Sequence, residues 1–291
     1  MSSNKGQIFF PSGFQELFSV WKNSPKAALC AGGVELAKNQ GRRILRFPLD
    51  LISLDRMEEL YRISRTERYL EIGAMVKLNQ LIHLGRIVPE ALRHCLQCIG
   101  GPQLRNLATI GGNICNPARR LDASVPLIAL DAQFELRSLQ STRWISASQF
   151  LSLPGPPALA QQELLSRIRI PLDPWNFTWY NKFRNSGCIE PGGGILFIIR
   201  NQKNILSNIR VVYSGKTILR EKNSETMLVG KRLPLDIKET RTFIDNWKSY
   251  LSVFEGNEDS IFLDGDGIAN PELQKSQILN FIKTTLMRIS D

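Results

Sequence analysis

The sequence predicts a protein of mixed α/β and α+β structure that is divided into two domains. Three observations support this prediction: strand-like and helix-like segments alternate through the first half, two strand-like runs end in a glycine pair, and the second half combines paired strand-like runs with longer helical segments. A chain of 291 residues with 43% hydrophobic and 22% charged residues is long enough for two cores. We place the boundary at the Asp173-Pro174 turn, so that residues 1–174 and 175–291 form the two domains.

Hydrophobic periodicity predicts the elements of the first domain in order. Residues 10–21 contain a turn and an amphipathic helix, and a short strand then ends at Cys30 and Ala31. The other predicted elements are an extended segment at 45–54 with Pro48 at an edge, strands at 69–74, 134–138 and 164–170, helices at 78–84, 90–98 and 123–130, and a segment at 144–151 that leads into a proline-rich turn. This alternation is typical of α/β structure, here arranged as two small subdomains.

The second domain is predicted to contain paired strands at 195–199 and 209–213 and helices at 239–251 and 271–288. The last helix begins with Pro271 after Asn270, a suitable N-cap. Acidic residues at 255–259 and 264–267 lack the spacing and the bidentate glutamate of an EF-hand loop. We therefore interpret both stretches as solvated turns.

The chain is organised around two glycine pairs, Gly32-Gly33 and Gly111-Gly112, each of which follows a strand-like run. Glycine pairs let the backbone turn with φ > 0, and their bare amides can contact an anionic ligand such as a pyrophosphate. Thr109, Asn113 and Asp122 place polar side chains around the second pair. An isolated pair is more often an ordinary turn, but two pairs in similar surroundings favour a shared cofactor site.

Four motifs occur in the order found in the FAD-binding subunits of molybdenum hydroxylases: AGGVEL at 31–36, LEIGAM at 70–75, PQLRNLATIGGNI at 102–114 and KFR at 182–184. The chain resembles this family, which includes the medium subunits of xanthine dehydrogenase and carbon monoxide dehydrogenase. The resemblance is strongest from about residue 29 to 131 and thins after Arg184. It implies a PCMH-type FAD-binding domain of two α/β subdomains, with the cofactor between the glycine loops. A smaller α+β domain like that of the carbon monoxide dehydrogenase flavoprotein follows.

The resemblance also implies which residues surround FAD. The backbones of the two loops hold the pyrophosphate, Asp122 is an acidic cofactor contact, Ile99 lies near the flavin ring, Leu165 is an apolar contact, and Lys182 or Arg184 is a basic residue near the flavin. Core packing for Ile99 and Leu165, and a surface charge for Lys182 or Arg184, remain open alternatives. The full set is Leu29, Cys30, Ala31, Gly32, Gly33, Val34, Glu35, Leu36, Ile99, Thr109, Gly111, Gly112, Asn113, Asp122, Leu165, Lys182 and Arg184.

The implied activity is electron transfer within an oxidoreductase. A 2Fe-2S iron-sulfur subunit supplies electrons, FAD passes them to NAD or another acceptor, and a large molybdopterin-binding subunit hydroxylates the substrate. The subunit is expected to be inactive without these partners. It needs no catalytic side chain and no metal of its own, and its two histidines, His83 and His94, form no recognisable triad.

Three departures from the family pattern leave a second function possible for this chain. Val34 stands where relatives usually have threonine, which removes a hydroxyl contact worth about 1 kcal/mol. Ala118-Arg119 replaces the usual Ser-Pro, and residues 185–194 differ from the usual sequence near the flavin. The alternative is a degenerate, FAD-free structural adaptor subunit of such a complex.

The net charge of +10 is spread along the chain and suits an anionic cofactor or an acidic partner. Nucleic-acid binding would explain the charge but not two glycine loops, so we expect no nucleic-acid partner. The first seven residues lack the features of a secretory signal, and the apolar runs are shorter than the about 20 residues that span a bilayer. We expect a cytoplasmic protein without a membrane contact.

Five cysteines, an odd number, fit free thiols in a reducing compartment. Cys95 and Cys98 form a C-x-x-C motif, which could be a redox pair or half of a metal site. No second such motif follows. We therefore interpret them as two small apolar residues on one face of a helix.

Overall fold

The computed structural model describes residues 6–38, 50–116, 122–151, 157–184, 191–215, 218–253 and 271–290. The strands in these ranges are β1 (Gln7–Phe9), β2 (Ala28–Cys30), β3 (Asp50–Ser53), β4 (Ile63–Arg65), β5 (Tyr69–Gly73), β6 (Gln133–Arg137), β7 (Thr142–Ser146), β8 (Leu164–Pro171), β9 (Phe177–Arg184), β10 (Pro191–Gln202), β11 (Ile205–Ser214) and β12 (Ile218–Leu219). The helices are α1 (Phe14–Asn23), α2 (Val34–Lys38), α3 (Leu78–His83), α4 (Glu90–Gln97), α5 (Pro102–Leu107), α6 (Ile110–Ile114), α7 (Ser124–Ala129), α8 (Ala147–Phe150), α9 (Lys222–Leu228), α10 (Ile237–Ser252) and α11 (Pro271–Ser290).

The N-terminal part contains a parallel sheet of strand order β1-β3-β2. Helix α1 packs on it through Leu17 and Phe18, and together with Ile52 of β3 and Leu60 these residues form a core separate from those of the other sheets. Because the strands are parallel, their carboxyl ends lie at one edge. The end of β2 leads there directly into Gly32, which places the first glycine loop at that edge.

The next part contains an antiparallel sheet of strand order β4-β5-β8-β6-β7. Its inner face carries Ile72, Phe134 and Ile168, which pack with apolar residues of α3, α4, α6 and α7. The prediction of two small subdomains of mixed structure is confirmed. The second one is α+β rather than α/β, because its strands pair antiparallel while the helices lie on one face.

The C-terminal sheet has the strand order β12-β11-β10-β9 and is antiparallel throughout. Ile195 pairs with Tyr213 and Ile199 with Ile209, so the predicted strand pair is confirmed. Both faces of this sheet are buried. One face packs against α10 and α11. The opposite face carries Leu196, Ile198 and Val212, which join the core of the first part. Because this core is shared between the two parts, the domain boundary at residue 174 stays a prediction.

The predicted helix within 10–21 and those at 78–84, 90–98, 123–130, 239–251 and 271–288 are confirmed within a few residues at each end. Residues 45–49, 117–121, 185–190 and 254–270 lie outside the described residues. The predictions for Pro48, Ala118-Arg119, Asn270 and the acidic stretches fall there. None of the helices that the structure describes is long and apolar enough to cross a membrane.

Glu163 connects strand β7 with the segment before β8, and its ion pair makes the stability of the protein depend on pH. Nε of Arg143 lies 2.6 Å from Oε1 of Glu163 and a second guanidinium nitrogen 2.7 Å from Oε2, while the amide of Ala160 donates to Oε2 at 2.8 Å. The hydrogen bond from Arg143 holds the pKa of Glu163 below its ordinary 4.5. The carboxylate is 5% exposed and Arg143 46% exposed, so the pair is intermediate between a surface and a buried ion pair.

We expect Glu163→Gln to lower the free energy of unfolding by about 2 kcal/mol at neutral pH. Because the folded-state pKa lies below that of the unfolded chain, this stabilisation is present above about pH 4.5 and is lost as the pH falls through the folded-state pKa. Urea unfolding at pH 7 and below pH 4 should show the difference shrinking on acidification. The exposed Asp245→Asn serves as control, and a difference for Glu163→Gln that is independent of pH would contradict this account.

Candidate functional site

The first glycine loop connects β2 to α2. Gly33 has a φ of 69°, a left-handed conformation that glycine adopts without strain. Gly32 packs against the backbone ahead of the second loop, since a Cβ added there would lie 2.0 Å from the carbonyl oxygen of Leu107. Helix α2 starts immediately afterwards at Val34. A bare turn that runs into a helix start is the type of backbone that binds phosphate groups.

The second glycine pair lies inside the short helix α6 and not in a turn. Neither Gly111 nor Gly112 has a positive φ, so the prediction of a left-handed turn was wrong here. The glycines serve close packing instead: an added Cβ would lie 2.7 Å from the carbonyl oxygen of Ala74 for Gly111, and 2.9 Å from Oγ1 of Thr109 for Gly112. Oγ1 of Thr109 caps the helix by accepting a hydrogen bond from the Gly112 amide at 3.0 Å.

The two loops lie side by side. A Cβ on Gly112 would be 3.6 Å from the Cβ of Ala31, and Gly32 contacts Leu107, two residues before Thr109. Gly112 is exposed although Gly111 before it is buried. The structure therefore brings together two backbone segments that are far apart in sequence and leaves Gly112 exposed at their junction.

Asn113 allows a test of whether a cofactor fits at this junction. The residue is 8% exposed, and among the described atoms Oδ1 has no hydrogen-bond partner. An unsatisfied buried acceptor costs about 1–3 kcal/mol, a cost that a ligand donor would remove. FAD carries hydroxyl groups on its ribityl chain and its ribose next to the pyrophosphate. The unpaired acceptor of Asn113 beside the two glycine loops therefore fits FAD.

Lys77 lies beside both loops and was missed by the sequence reasoning. Its ammonium donates to the carbonyl oxygen of Leu107 at 3.3 Å, the atom against which Gly32 packs, and its backbone bridges to Thr109. Its charge also acts on the thiol of Cys30, whose pKa is nonetheless raised because burial disfavours the thiolate. A cation at this place suits a pyrophosphate. In the sequence Lys77 is a single lysine at the end of an apolar run, which gives no local signal of a binding site.

Ile99 is buried in the turn after α4, and Arg105 fixes the conformation of that turn. One guanidinium nitrogen of Arg105 donates to the carbonyl oxygens of Gln97, Ile99 and Gly100 at 3.1, 3.0 and 2.6 Å. The cation also complements the negative end of the helix dipole. Sequence reasoning did not assign this role, because a helix end that is closed by a side chain of the next helix leaves no local pattern.

Asp122 lies where the C-terminal sheet meets the first part. Its Oδ2 accepts a hydrogen bond from Nζ of Lys182 at 2.8 Å, and its Oδ1 accepts one from the hydroxyl of Tyr180 at 2.9 Å. Nζ of Lys182 also donates to the carbonyl oxygen of Cys98 at 3.3 Å. Two residues of the predicted set, Asp122 and Lys182, are thus in direct contact, and Lys182 is no isolated surface charge.

Cys95 and Cys98 do not share a buried helix face, and that prediction was wrong. Cys95 is buried in α4 and its thiol donates to the carbonyl oxygen of Asp122 at 2.9 Å, whereas Cys98 follows the helix and is exposed. The reason is that α4 ends at Gln97, so the second cysteine lies beyond the last helical turn. Burial raises the pKa of Cys95 well above its ordinary value, which keeps the thiol neutral.

The remaining predicted residues have different environments. Leu165 is 2% exposed, pairs with Leu136 across the sheet and belongs to the core of the antiparallel sheet. This burial agrees with core packing, the alternative to a cofactor contact that the sequence left open. Arg184 ends β9, and its side chain lies outside the described atoms. The partly buried members of the first loop are Leu29, Cys30, Ala31, Gly32, Gly33, Val34, Glu35 and Leu36.

The family model described as the FAD binding domain in molybdopterin dehydrogenase matches residues 4–173, more than half of the chain. The chain belongs to this family. Its cofactor is therefore FAD, and the four sequence motifs, the two adjoining loops and the unpaired Oδ1 of Asn113 agree with that assignment.

The chain is similar to several FAD-binding and medium subunits. The xanthine dehydrogenase FAD-binding subunit of Escherichia coli O157:H7 is 33% identical over 163 residues, which cover 55% of this chain and 55% of that subunit. The carbon monoxide dehydrogenase medium chain of Hydrogenophaga pseudoflava is 29% identical over 210 residues, 70% of this chain and 73% of that one. The chain thus spans about half the length of the Escherichia coli subunits it matches.

Solved structures share the fold over nearly the whole chain. A chain of carbon monoxide dehydrogenase from Hydrogenophaga pseudoflava has a TM-score of 0.79 at 26% identity, with 96% of this chain and 95% of that chain covered. A chain of quinoline 2-oxidoreductase from Pseudomonas putida 86 has a TM-score of 0.79 at 19% identity, with 98% and 96% covered. The predicted fold class is confirmed. The likeness of the C-terminal domain to that of the carbon monoxide dehydrogenase flavoprotein stays a prediction.

Proposed function

We propose that this protein is the FAD-binding, electron-transfer subunit of a molybdenum hydroxylase complex. In this role it passes electrons from a 2Fe-2S subunit through FAD to NAD or another acceptor, while a large molybdopterin-binding subunit reacts with the substrate. The observation that carries the proposal is the junction of the two glycine loops, where Gly112 is exposed beside the unpaired Oδ1 of Asn113. An adaptor that no longer binds FAD would have no need for this arrangement.

FAD, when bound, takes up electrons one at a time from an iron-sulfur cluster and gives them up as a pair. The chain's own residues bind and orient it. The backbones of residues 29–36 and 109–113 would hold the pyrophosphate, with Lys77 as the counter-charge. Asn113 and Asp122 would accept hydrogen bonds from cofactor hydroxyl groups, and Ile99 and Lys182 would lie near the flavin ring. No side chain has to act as acid, base or nucleophile.

The proposed partners follow from the relatives' names. One relative is a carbon monoxide dehydrogenase medium chain and another is subunit alpha of the 6-hydroxypseudooxynicotine dehydrogenase complex of Paenarthrobacter nicotinovorans. We infer a hetero-oligomer in the cytoplasm in which this chain alone hydroxylates no substrate. The net charge of +10 supports docking to an acidic partner subunit.

An absorption spectrum of the purified protein tests the proposal first. We expect flavin bands, release of FAD on heating, and reduction of the bound flavin by a reduced 2Fe-2S protein. A colourless protein that takes up no added FAD would favour the FAD-free adaptor. Substrate hydroxylation by the isolated chain would overturn the assignment as an electron-transfer subunit.

Lys77→Met is expected to weaken FAD binding about three- to tenfold and to make the remaining binding less sensitive to salt. The reason is that the variant removes the cation next to both loops while it keeps the aliphatic stem. Titration of the apoprotein with FAD, followed by quenching of flavin fluorescence at low and high salt, measures both effects. Lys238→Met, an exposed lysine at the start of α10, is the matched control. Equal affinities for wild type and Lys77→Met would rule out this role.

A further inference from the structure

Tyr180 is a partly buried residue that the four sequence motifs do not include. It lies on β9, and its hydroxyl donates to Oδ1 of Asp122 at 2.9 Å, a contact between residues 58 positions apart. The ring is fixed by close packing, since a Cβ on Gly194 of the neighbouring strand would lie 2.5 Å from the hydroxyl. Burial raises the pKa of Tyr180 far above its ordinary value, so the hydroxyl stays protonated and can donate.

Hydrogen bonds hold both the main-chain carbonyl and the side-chain carboxylate of Asp122. Tyr180 and Lys182 are two residues apart on one strand and therefore point to the same face of the sheet. Each donates to a different carboxylate oxygen, at 2.9 and 2.8 Å. The thiol of Cys95 donates to the main-chain carbonyl of Asp122 at 2.9 Å. These three contacts fix the position and the rotation of the carboxylate.

The carboxylate keeps acceptor capacity in this arrangement. An ionised carboxylate offers about four lone-pair sites, and the donors on Tyr180 and Lys182 use one on each oxygen. A hydroxyl group of a ligand can therefore bind to Asp122 while both donors from β9 stay in place. An acceptor that is already held in position binds its ligand more tightly, because less side-chain freedom is lost on binding.

We propose that Tyr180 is a positioning residue for FAD: it orients Asp122 and so makes the C-terminal sheet part of the cofactor site. This inference rests on the proposed function, in which Asp122 is a cofactor contact. Tyr180 acts through Asp122 and does not itself contact FAD. Occupancy of the cofactor site is thereby linked to the docking of β9 on the first part of the chain.

A double-mutant cycle in FAD affinity tests the inference. Tyr180→Phe keeps the ring and its packing but removes the donor, and we expect FAD to bind about five- to tenfold more weakly. In the Asp122→Ala background the same change is expected to have no further effect, because the group through which Tyr180 acts is gone. Fluorescence titration of the four apoproteins gives the four affinities.

Tyr213→Phe is the matched control. It removes a buried tyrosine hydroxyl from the same sheet on the opposite face, where the hydroxyl donates to Oε1 of Gln274 at 3.3 Å. This variant should bind FAD like the wild type. Melting temperatures of all the apoproteins separate a loss of stability from a loss of affinity.

Two results would overturn the inference alone: wild-type affinity in Tyr180→Phe, or an equal loss in both backgrounds, which would indicate a merely structural role. A wild-type protein that takes up no FAD would overturn the proposed function together with the inference. Hydrogen exchange of the wild-type protein is informative even if Tyr180→Phe does not fold. FAD is expected to slow amide exchange along β9, and unchanged exchange there would also overturn the inference.

Discussion

Gly32→Ala is expected to abolish detectable FAD binding, with an affinity at least about 100-fold below that of the wild type. The added Cβ would lie 2.0 Å from the carbonyl oxygen and 2.8 Å from the carbonyl carbon of Leu107. Both atoms belong to the backbone, so no side chain can rotate away. The two loops must separate, and the junction beside Gly112 and Asn113 is lost. We expect a cost of about 2–4 kcal/mol in the free energy of unfolding as well.

Gly13→Ala is the matched control for this variant. Gly13 precedes α1, has a φ of −155°, which any residue adopts, and would place its Cβ more than 4 Å from any other atom. It should keep its FAD affinity, and because Gly13 is the N-cap of α1 it should lose no more than about 1 kcal/mol of stability. Isothermal titration of FAD into the apoproteins and urea unfolding give the two quantities. A Gly32→Ala protein that binds FAD normally would show that the loops do not have to touch.

Local pattern was sufficient for much of the fold. Strand pairing was predicted correctly where short, mostly apolar runs mark both strands, as in the pairing of Ile195 with Tyr213. The glycine loops were found for a similar reason, since glycine pairs after apolar runs are local features. The prediction of a left-handed turn at Gly111-Gly112 was wrong for a physical reason. A glycine is required either for its dihedral angles or for close approach, and the sequence does not distinguish the two; here the contact is with Ala74, far along the chain.

Two of the residues that sequence reasoning missed, Lys77 and Tyr180, make contacts that bridge distant segments. Lys77 reaches Leu107, and Tyr180 reaches Asp122. Neither contact produces a periodicity or a motif, because each depends on how two elements pack after they have formed. Lys182 was selected only because it lies in a motif, and its ion pair with Asp122 was not predicted. When several elements form a site, the sequence therefore predicts the loops that carry local motifs but not the contacts between distant elements.

Asp122→Ala is expected to weaken FAD binding about 30-fold or more. A hydrogen bond to a charged group contributes about 1.5–3 kcal/mol, and about 2 kcal/mol corresponds to a factor of about 30 in affinity. The variant also leaves the ammonium of Lys182, which is 15% exposed, without its carboxylate. We therefore expect the melting temperature of the apoprotein to fall as well.

Asp122→Asn separates the two effects. It keeps one oxygen acceptor of the same shape and removes the charge, so its FAD affinity should fall between those of the wild type and Asp122→Ala. The exposed Asp245→Ala, whose carboxylate lies 3.9 Å from Arg241 on α10, controls for the loss of a negative charge. Equal FAD affinity in Asp122→Ala and wild type would mean that the ion pair with Lys182 only joins the two parts of the chain. The cofactor would then be held by the glycine loops alone, and an unaffected affinity combined with a lowered melting temperature would identify that case.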